Sequence, residues 1–364
     1  MIIALDGTPL TEPTGGVARY TWELAHNLAE TFPGDQYWLL SDQTFAMPLD
    51  RPLNLHSGAR PTSTIDRRWW FWGLRHEMER RGADLFHGTD FAVPYVPSKP
   101  SVMTVHDLSP WIDAPWNHAS ARVKWRTPQM LKMGLAKMVI TPTEAIRAAV
   151  LQRFELAPDQ VVAVPLAARP MFHPVEADTD IPYFLFVGTL EGRKNVRGLV
   201  DAWRELYARH GVELWLVGRV RHDFDPPAET PGLRYLGSVD DSELPELYSG
   251  AVAFVYPSHY EGFGLPILEA MACGRAVACS NTTAMPEVAG SSALLFDPAD
   301  AEQMAHAISK ILTNDDLRRR LESEGVQHAS TFSWERAAAK TLNVYYEVVG
   351  ATRRVDVAVK AGVA

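Results

Sequence analysis

The chain has 364 residues, which is enough for two domains of ordinary size. With 46% hydrophobic and 22% charged residues it has the composition of a globular protein, and no apolar run approaches the roughly 20 residues of a membrane-spanning helix. The net charge of −9 argues against a general nucleic-acid-binding protein.

The opening residues, MIIALDGTPL, contain no basic segment and reach an aspartate at Asp6, so we expect no signal peptide. Cys273 and Cys279 are too few for a disulfide framework, and they do not complete a zinc site. These features favour a reducing, cytoplasmic location.

Short apolar runs alternate with helical segments through the first half of the chain. The first helical segment, VARYTWELAHNLAETF, follows the first strand, and others lie near 67–81, 120–137 and 144–153. The strand-like runs are MIIALD, QYWLLS, PLNLHS, ADLFHG, SVMTVHDLS, KMVITPT and QVVAVPLA. This alternation predicts a parallel β-sheet covered by helices.

The alternation restarts after residues 168–182, which contain several prolines, lack periodicity and are interpreted as a linker. Strand-like runs follow as YFLFVG, VELWLVG, LRYLG, AVAFVYPS, AVACSN and ALLFDP, with helices near 195–209, 242–249, 300–313 and 315–328, one from about 266, and a last one over 333–349. We predict an α/β chain of two doubly wound domains, 1–167 and 168–332. Ligands of such sheets lie outside the carboxyl ends of the strands.

The segment EGFGLPILEAMACG, residues 261–274, places two glutamates around a loop and a helix start. Pro266 suits the first turn of a helix, so we expect Glu261 in the loop and Glu269 in the first turn. Gly262 and Gly264 expose the backbone, and the N–H groups of a helix start bind anions. Carboxylates that can bind hydroxyl groups, next to backbone amides that can bind phosphate, suit a sugar nucleotide as the ligand. The alternative is a plain strand–loop–helix connection in which Glu269 favours the helix dipole.

The segment FVGTLEGRKN, residues 186–195, follows the first strand of the second half and precedes a helix. Arg193 and Lys194 are therefore expected at the carboxyl end of that strand. Two cations in this position can neutralise a diphosphate leaving group without a metal ion. The alternative is an ordinary solvated basic turn.

Two motifs of the first half also follow strands. In EPTGGVARY, Gly15 and Gly16 let the backbone approach a phosphate or a sugar, although a plain tight turn has the same pattern. In VMTVHDLSP, His106 and Asp107 end an apolar strand, where Asp107 is placed to orient His106 by a hydrogen bond. The alternative is a capped strand end with a structural histidine.

Taken in order, these motifs resemble those of the retaining glycosyltransferases of family 4. EGFGLPILEAM is similar to the paired-glutamate motif of that family. The resemblance covers nearly the whole chain and is strongest to bacterial mannosyltransferases of polysaccharide and O-antigen assembly. It implies a GT-B fold of two facing Rossmann-like domains, with the C-terminal segment 333–364 packing back on the first domain.

The resemblance also implies metal-independent transfer from a nucleotide sugar, GDP-mannose first and a UDP-sugar next, to a glycan or lipid-linked acceptor. No cofactor and no metal ligand is expected, and the Asp-x-Asp sequences at 178–180 and 223–225 are interpreted as solvated. The residues assigned to catalysis are Glu261, Arg193, Lys194 and His106. The residues assigned to the donor are Gly16, Gly188, Arg193, Lys194, Gly262, Phe263, Gly264, Leu265 and Glu269.

The sequence leaves two sets of alternatives open. The basic aromatic segment RRWWFWGLRHEMERR, residues 67–81, is interpreted as a helix buried against the first sheet, with contact between the N-terminal domain and the inner face of a membrane as the alternative. The rival functions are a nucleotide-sugar epimerase, a synthase of the glycogen or sucrose type on the same fold, and a non-catalytic nucleotide-sugar-binding protein.

Overall fold

A computed structural model describes residues 1–12, 15–116 and 121–356. The chain divides into two compact units. The first unit consists of Met1–Trp111, Ala119–Leu166 and Trp334–Ala364, and the second unit consists of Ile112–His118 and Ala167–Ser333. The C-terminal segment therefore belongs to the first unit, and a short segment of the first half belongs to the second.

The described residues form strands and helices that alternate along much of the chain, and three consecutive helices follow the last strand. The strands are β1 (Ile2–Asp6), β2 (Gln36–Leu40), β3 (Leu55–Ser57), β4 (Leu85–Gly88), β5 (Ser101–Thr104), β6 (Met138–Thr141), β7 (Val161–Ala163), β8 (Tyr183–Val187), β9 (Glu213–Val217), β10 (Leu233–Gly237), β11 (Ala253–Tyr256), β12 (Val277–Ser280) and β13 (Ala293–Phe296). The α-helices are α1 (Gly16–Thr31), α2 (Leu74–Arg81), α3 (Ala121–Lys132), α4 (Glu144–Phe154), α5 (Val196–His210), α6 (Leu244–Gly250), α7 (Leu265–Ala272), α8 (Met285–Ala289), α9 (Ala301–Thr313), α10 (Asp315–Ala329) and α11 (Trp334–Val348).

Each unit contains one sheet, and every strand pair among the described residues is parallel. The first sheet has the order β3-β2-β1-β4-β5-β6-β7 and the second β10-β9-β8-β11-β12-β13. In both sheets the order reverses beside the first strand, between β1 and β4 and between β8 and β11. In doubly wound sheets the ligand lies outside the carboxyl ends of the strands at this reversal. The predicted α/β fold of two doubly wound sheets is confirmed.

The strand β8 shows why these runs become central parallel strands. Phe184, Leu185 and Phe186 are all fully buried, so consecutive side chains on both faces of the sheet are covered. A run that is apolar at every position, rather than at alternate positions, is what a strand covered by helices on both faces requires. The burial fixes β8 in the interior and leaves its carboxyl end free to continue into a loop.

The helix α7 begins one residue before the predicted start. Gly264, at φ +102°, is its N-cap, and Pro266 lies in the first turn as expected. Because the helix starts at Leu265, Glu269 lies in its second turn, and the first turn contains no acidic residue. The expectation that Glu269 lies in the first turn is therefore wrong.

The basic aromatic segment is not one regular helix. Residues Trp69–Gly73 form a π-helical turn that continues into α2. A Cβ added at Gly73 would lie 2.0 Å from the carbonyl oxygen of Asp66, so the glycine permits a close backbone approach. The wide turn buries Trp69 but leaves Phe71 48% and Trp72 38% exposed. The segment is thus partly buried, with two aromatic rings and its first arginines at the surface.

A buried chain of hydrogen bonds ties α11 to the first sheet. The hydroxyl of Tyr345 lies 2.6 Å from His87 Nδ1, His87 Nε2 lies 2.8 Å from the Thr104 hydroxyl, and that hydroxyl lies 2.8 Å from the hydroxyl of Tyr20. Burial, with the nearby His106, lowers the pKa of His87 to about 3, so its ring is neutral and one nitrogen donates while the other accepts. These hydrogen bonds join α11, β4, β5 and α1.

We expect Tyr345→Phe to lower the free energy of unfolding by about 1–3 kcal/mol, because it leaves a buried ring nitrogen of His87 without a partner. Tyr37→Phe is the matched control. Tyr37 is equally buried, and among the described residues its hydroxyl has no hydrogen-bond partner. Urea denaturation curves measure both variants. Equal effects of the two substitutions would contradict the importance of the hydrogen-bond chain.

Candidate active site

Two loops at the carboxyl ends of β8 and β11 bring three of the predicted residues together. Lys194 Nζ lies 2.6 Å from Glu261 Oε1, and an Arg193 guanidinium nitrogen lies 3.1 Å from Glu261 Oε2. Each oxygen of the carboxylate therefore faces one cation. The residues lie beside the strand-order reversal of the second sheet, where ligands of this fold bind.

The backbone fixes the two loops against each other. Residues Gly192–Lys194 form one 3₁₀ turn, which ends at Asn195 with φ +53°. The backbone N–H of His259 donates to the Arg193 carbonyl at 2.9 Å, and the Arg193 guanidinium donates to the Tyr260 carbonyl at 2.9 Å. Arg193 thus joins the loops through both its backbone and its side chain.

Burial makes the charges of this cluster interact strongly. Burial by itself raises the pKa of Glu261, but Arg193 and Lys194 outweigh it and lower that pKa to about 2. Burial also lowers the pKa of Lys194, although Glu261 opposes this effect. The hydroxyl of Tyr256 accepts a hydrogen bond from Lys194 Nζ at 2.5 Å, and burial raises the pKa of Tyr256. Glu261 is therefore ionised near neutral pH.

Glu191 extends the cluster and was not among the predicted residues. Its Oε1 lies 2.9 Å from an Arg193 nitrogen, and its Oε2 lies 2.5 Å from an Arg221 nitrogen. The sequence signal was an acidic residue two positions before Arg193 in TLEGRKN. Arg221 follows β9, the neighbour of β8 in the sheet, and its ion pair with Glu191 joins two loops at the same sheet edge.

Glu269 lies deeper in the second unit than Glu261. Glu269 is only 2% exposed, and its Oε2 accepts a hydrogen bond from the Tyr248 hydroxyl at 2.9 Å. Its charge contributes to the raised pKa of Tyr256, after the larger effects of burial and of Glu261. Glu269 is thus a buried acceptor for Tyr248, whereas Glu261 pairs with both Arg193 and Lys194.

The remaining predicted donor residues shape the backbone around these loops. Gly188 follows β8 at φ +154°, and a Cβ there would lie 3.8 Å from the Lys194 side chain. Gly262 is buried, and the Phe263 ring packs edge-on against Phe332 with 6.3 Å between the centroids. Leu265 is the first residue of α7. These residues keep the loop compact and bring backbone close to the cations.

The two predicted residues of the first half lie in the first unit. Gly16 is exposed and begins α1. His106 Nε2 donates to the Thr89 carbonyl at 2.7 Å, and its ring packs edge-on against Tyr20 at 4.7 Å between centroids. The carboxylate of Asp107 instead accepts hydrogen bonds from the backbone and hydroxyl of Ser109. The partner that orients His106 is thus the Thr89 carbonyl, and the expectation that Asp107 does so is wrong.

Neither Asp-x-Asp sequence forms a metal-ligand group. Asp223 pairs with Arg221, and the Asp225 side chain is 95% exposed. Across residues 1–12, 15–116 and 121–356, no three His, Cys, Asp or Glu side chains are grouped so that they could hold a metal ion. Within the same ranges, no helix combines the length and the apolar character needed to cross a membrane.

The chain is similar to known proteins over both units. The model of Glycosyltransferase Family 4 matches residues 14–168, and that of Glycosyl transferases group 1 matches residues 170–328. The O-antigen chain mannosyltransferase B of Escherichia coli is 30% identical over 95% of this chain and 99% of its own length.

Solved structures support the same fold. A sucrose-phosphate synthase from Thermosynechococcus elongatus has a TM-score of 0.75 at 22% identity, covering 96% of this chain and 99% of that chain. Anabaena HepE in complex with UDP-glucose has a TM-score of 0.70 at 17% identity, covering 95% and 99%. The two doubly wound sheets and these relatives define a glycosyltransferase of GT-B architecture. The chain belongs to glycosyltransferase family 4.

We expect Glu261→Gln to lower the free energy of unfolding at pH 7 by about 3 kcal/mol, because the buried Lys194 loses its carboxylate partner and the half-buried Arg193 loses one of its two. The pKa of Glu261 is about 2 in the folded protein and about 4.5 in the unfolded chain. The ionised carboxylate therefore stabilises the fold fully above pH 4.5, and this contribution is lost as the pH falls through about 2. The difference between the parent and the variant should therefore shrink between pH 5 and pH 3.

Chemical denaturation at several pH values measures this difference. Asp201→Asn is the control, because it removes an ion pair with Arg204 in which both side chains are more than half exposed. A difference between the parent and Glu261→Gln that stays constant from pH 7 to pH 3 would contradict the assignment.

Proposed function

We propose that this glycosyltransferase transfers mannose from GDP-mannose to a glycan or lipid-linked acceptor in polysaccharide assembly, with retention and without a metal ion. The mannosyl and O-antigen part of the proposal rests on the similarity to the Escherichia coli O-antigen chain mannosyltransferase B. The observation that carries the chemistry is the convergence of Arg193 and Lys194 at the strand-order reversal of the second sheet.

The two cations suit a diphosphate leaving group. Arg193, Lys194 and Glu261 together carry a net charge of +1, held in a buried setting where charge interactions are strong. Negative charge grows on the diphosphate as the bond to the sugar breaks, and fixed cations stabilise that charge without reorganising. Lys194 provides a point charge, and Arg193 provides the planar fork that matches phosphate oxygens.

The carboxylates suit the hydroxyl groups of the donor. Glu261 is ionised at neutral pH and is a hydrogen-bond acceptor at the same loop as the cations. We assign Glu261 to the sugar hydroxyls and Glu269, one helical segment further on, to the ribose. The backbone at Gly188, Gly262 and Gly264 borders the same loops and is assigned to contacts with the phosphates.

The first unit is assigned to the transferred sugar and to the acceptor. His106 donates through Nε2 to Thr89, and we assign its other ring nitrogen to the transferred sugar. Gly16 is at the start of α1, and the first N–H groups of a helix have no partner within the helix and can bind an anion or a hydroxyl. We propose a same-face displacement, in which the leaving phosphate accepts the acceptor's proton.

Exposed aromatic and basic residues of the first unit accommodate a lipid-linked acceptor. Phe71 and Trp72 are exposed beside Arg67 and Arg68, a combination that favours a membrane interface. We propose cytoplasmic action, with peripheral contact at the inner face of the membrane through this segment.

We expect Lys194→Ala and Glu261→Ala each to lower turnover by about 10²–10³-fold in the presence of excess EDTA, while the parent remains active. Arg197→Ala is the control, because Arg197 is nearby on α5 but its ion pair, with Asp225, is exposed. Mass spectrometry of the product measures transfer, and thermal melts exclude unfolding. Near-parental activity of both site variants, or loss of parental activity in EDTA, would overturn this mechanism.

We expect calorimetry with a panel of nucleotide sugars to show GDP-mannose as the tightest ligand. Proton NMR of the product should show the same anomeric configuration as the donor. A clear UDP preference would rule out the proposed donor, and an inverted product would rule out retention. Epimerised nucleotide sugar formed without an acceptor would favour the epimerase alternative.

A further inference from the structure

Glu191 is a buried carboxylate that is shared by two arginines. Its residue is only 5% exposed, and its Oε1 accepts from Arg193 at 2.9 and 3.1 Å. Its Oε2 faces Arg221 at 2.5 Å. Because each oxygen serves a different arginine, a glutamine at this position could serve only one of them.

The side chain of Arg193 is held on both sides. One side of the guanidinium lies on Glu191, and its other terminal nitrogen lies on Glu261 and on the Tyr260 carbonyl. An arginine that is held by two carboxylates and a carbonyl keeps a single orientation, which a long flexible side chain would otherwise lose. Glu191 therefore fixes the direction in which Arg193 presents its charge.

The far oxygen of Glu191 connects to the short segment of the first half that belongs to the second unit. Arg221 donates to the Trp116 carbonyl at 3.3 Å, and the Trp116 ring stacks on Tyr260 at 6.3 Å and 25°. A Cβ added at Gly192 would lie 3.1 Å from the Cβ of Trp116. The segment thus packs directly on the loop that carries Arg193.

If Glu191 acted only through its charge, its neutralisation would have the opposite effect from the one expected if it orients Arg193. A buried carboxylate beside two phosphate-binding cations repels a diphosphate, so its neutralisation would favour anion binding on charge alone. Glu191 favours transfer only if its effect on the orientation of the Arg193 guanidinium outweighs its repulsion of the diphosphate. The sign of the effect of neutralising Glu191 therefore separates the two accounts.

We propose that Glu191 is a positioning residue that acts through Arg193, with Arg221 and the Trp116 segment holding Glu191 itself in place. This inference rests on the proposed function, in which Arg193 stabilises the departing diphosphate. Glu191 touches neither donor nor acceptor in this role. Its effect on turnover must therefore disappear when the Arg193 side chain is absent.

The test is a double-mutant cycle of Glu191→Gln and Arg193→Ala in the full chain, with kcat and the KM for the donor as readouts. We expect Glu191→Gln to lower kcat by roughly tenfold in the parent and less than twofold in the Arg193→Ala background. The binding of GDP and of UDP, measured by calorimetry, should weaken or stay unchanged rather than tighten.

The control is Glu213→Gln, which removes a carboxylate that is likewise shared, between Arg234 and the Trp215 indole, away from these loops. It should leave kcat unchanged. If Glu191→Gln unfolds, as thermal melts would show, Arg221→Ala is the second variant, since it removes the restraint on Glu191 and leaves Arg193 intact. It should lower kcat by about threefold, again only when Arg193 is present.

Three results would overturn the inference. Equal losses in both backgrounds would show a general structural role, and tighter diphosphate binding with unchanged kcat would show that Glu191 acts by charge alone. Parental activity of Arg193→Ala would overturn the proposed function and this inference with it. The first result, together with loss of activity in Arg193→Ala, would overturn this inference alone.

Discussion

The buried carboxylate of Glu261 between two cations is the interaction on which the site depends. Arg193 and Lys194 come from one loop and Glu261 from another, 67 residues later in the chain. Without the carboxylate, two like charges would lie together in a buried setting, which is strongly unfavourable. The cations that suit this loop to a diphosphate would therefore repel each other, and the ion pairs that join it to the loop of Glu261 would be lost. A residue assigned to substrate thus also holds the site together.

The topology of the second sheet decides which loops meet. The strand order reverses between β8 and β11, so the loops after these two strands have no strand between them. Helices lead away on opposite sides of such a sheet, and the loops at the reversal remain accessible. Arg193, Lys194 and Glu261 lie on these loops because the strands are buried on both faces and their order is fixed by packing. The chemistry is then a matter of a few side chains on a rigid support.

Sequence patterns were sufficient for the fold class and for the enzyme class, because buried parallel strands are continuous apolar runs and the motifs follow them in a specific order. They were insufficient where distant residues decide the outcome. The ion pair of Glu191 with Arg221 spans 30 residues and depends on the pairing of β8 with β9. Helix α7 begins at Leu265 because Gly264 caps it, and this one-residue difference moves Glu269 into the second turn. A tight backbone contact at Gly73, which no sequence pattern shows, accompanies the π-helical turn before α2.

The place of α11 has a consequence for the synthesis of the protein. Its Tyr345 completes the buried hydrogen bonds of His87, yet it is made after every residue of the second unit. During translation, the His87 ring on β4 has no Tyr345 hydroxyl to bond with until α11 has been synthesised. The second unit has no such dependence on later residues, since its final residue is Ser333. The first unit can therefore complete this buried set of hydrogen bonds only after the whole second unit has been translated.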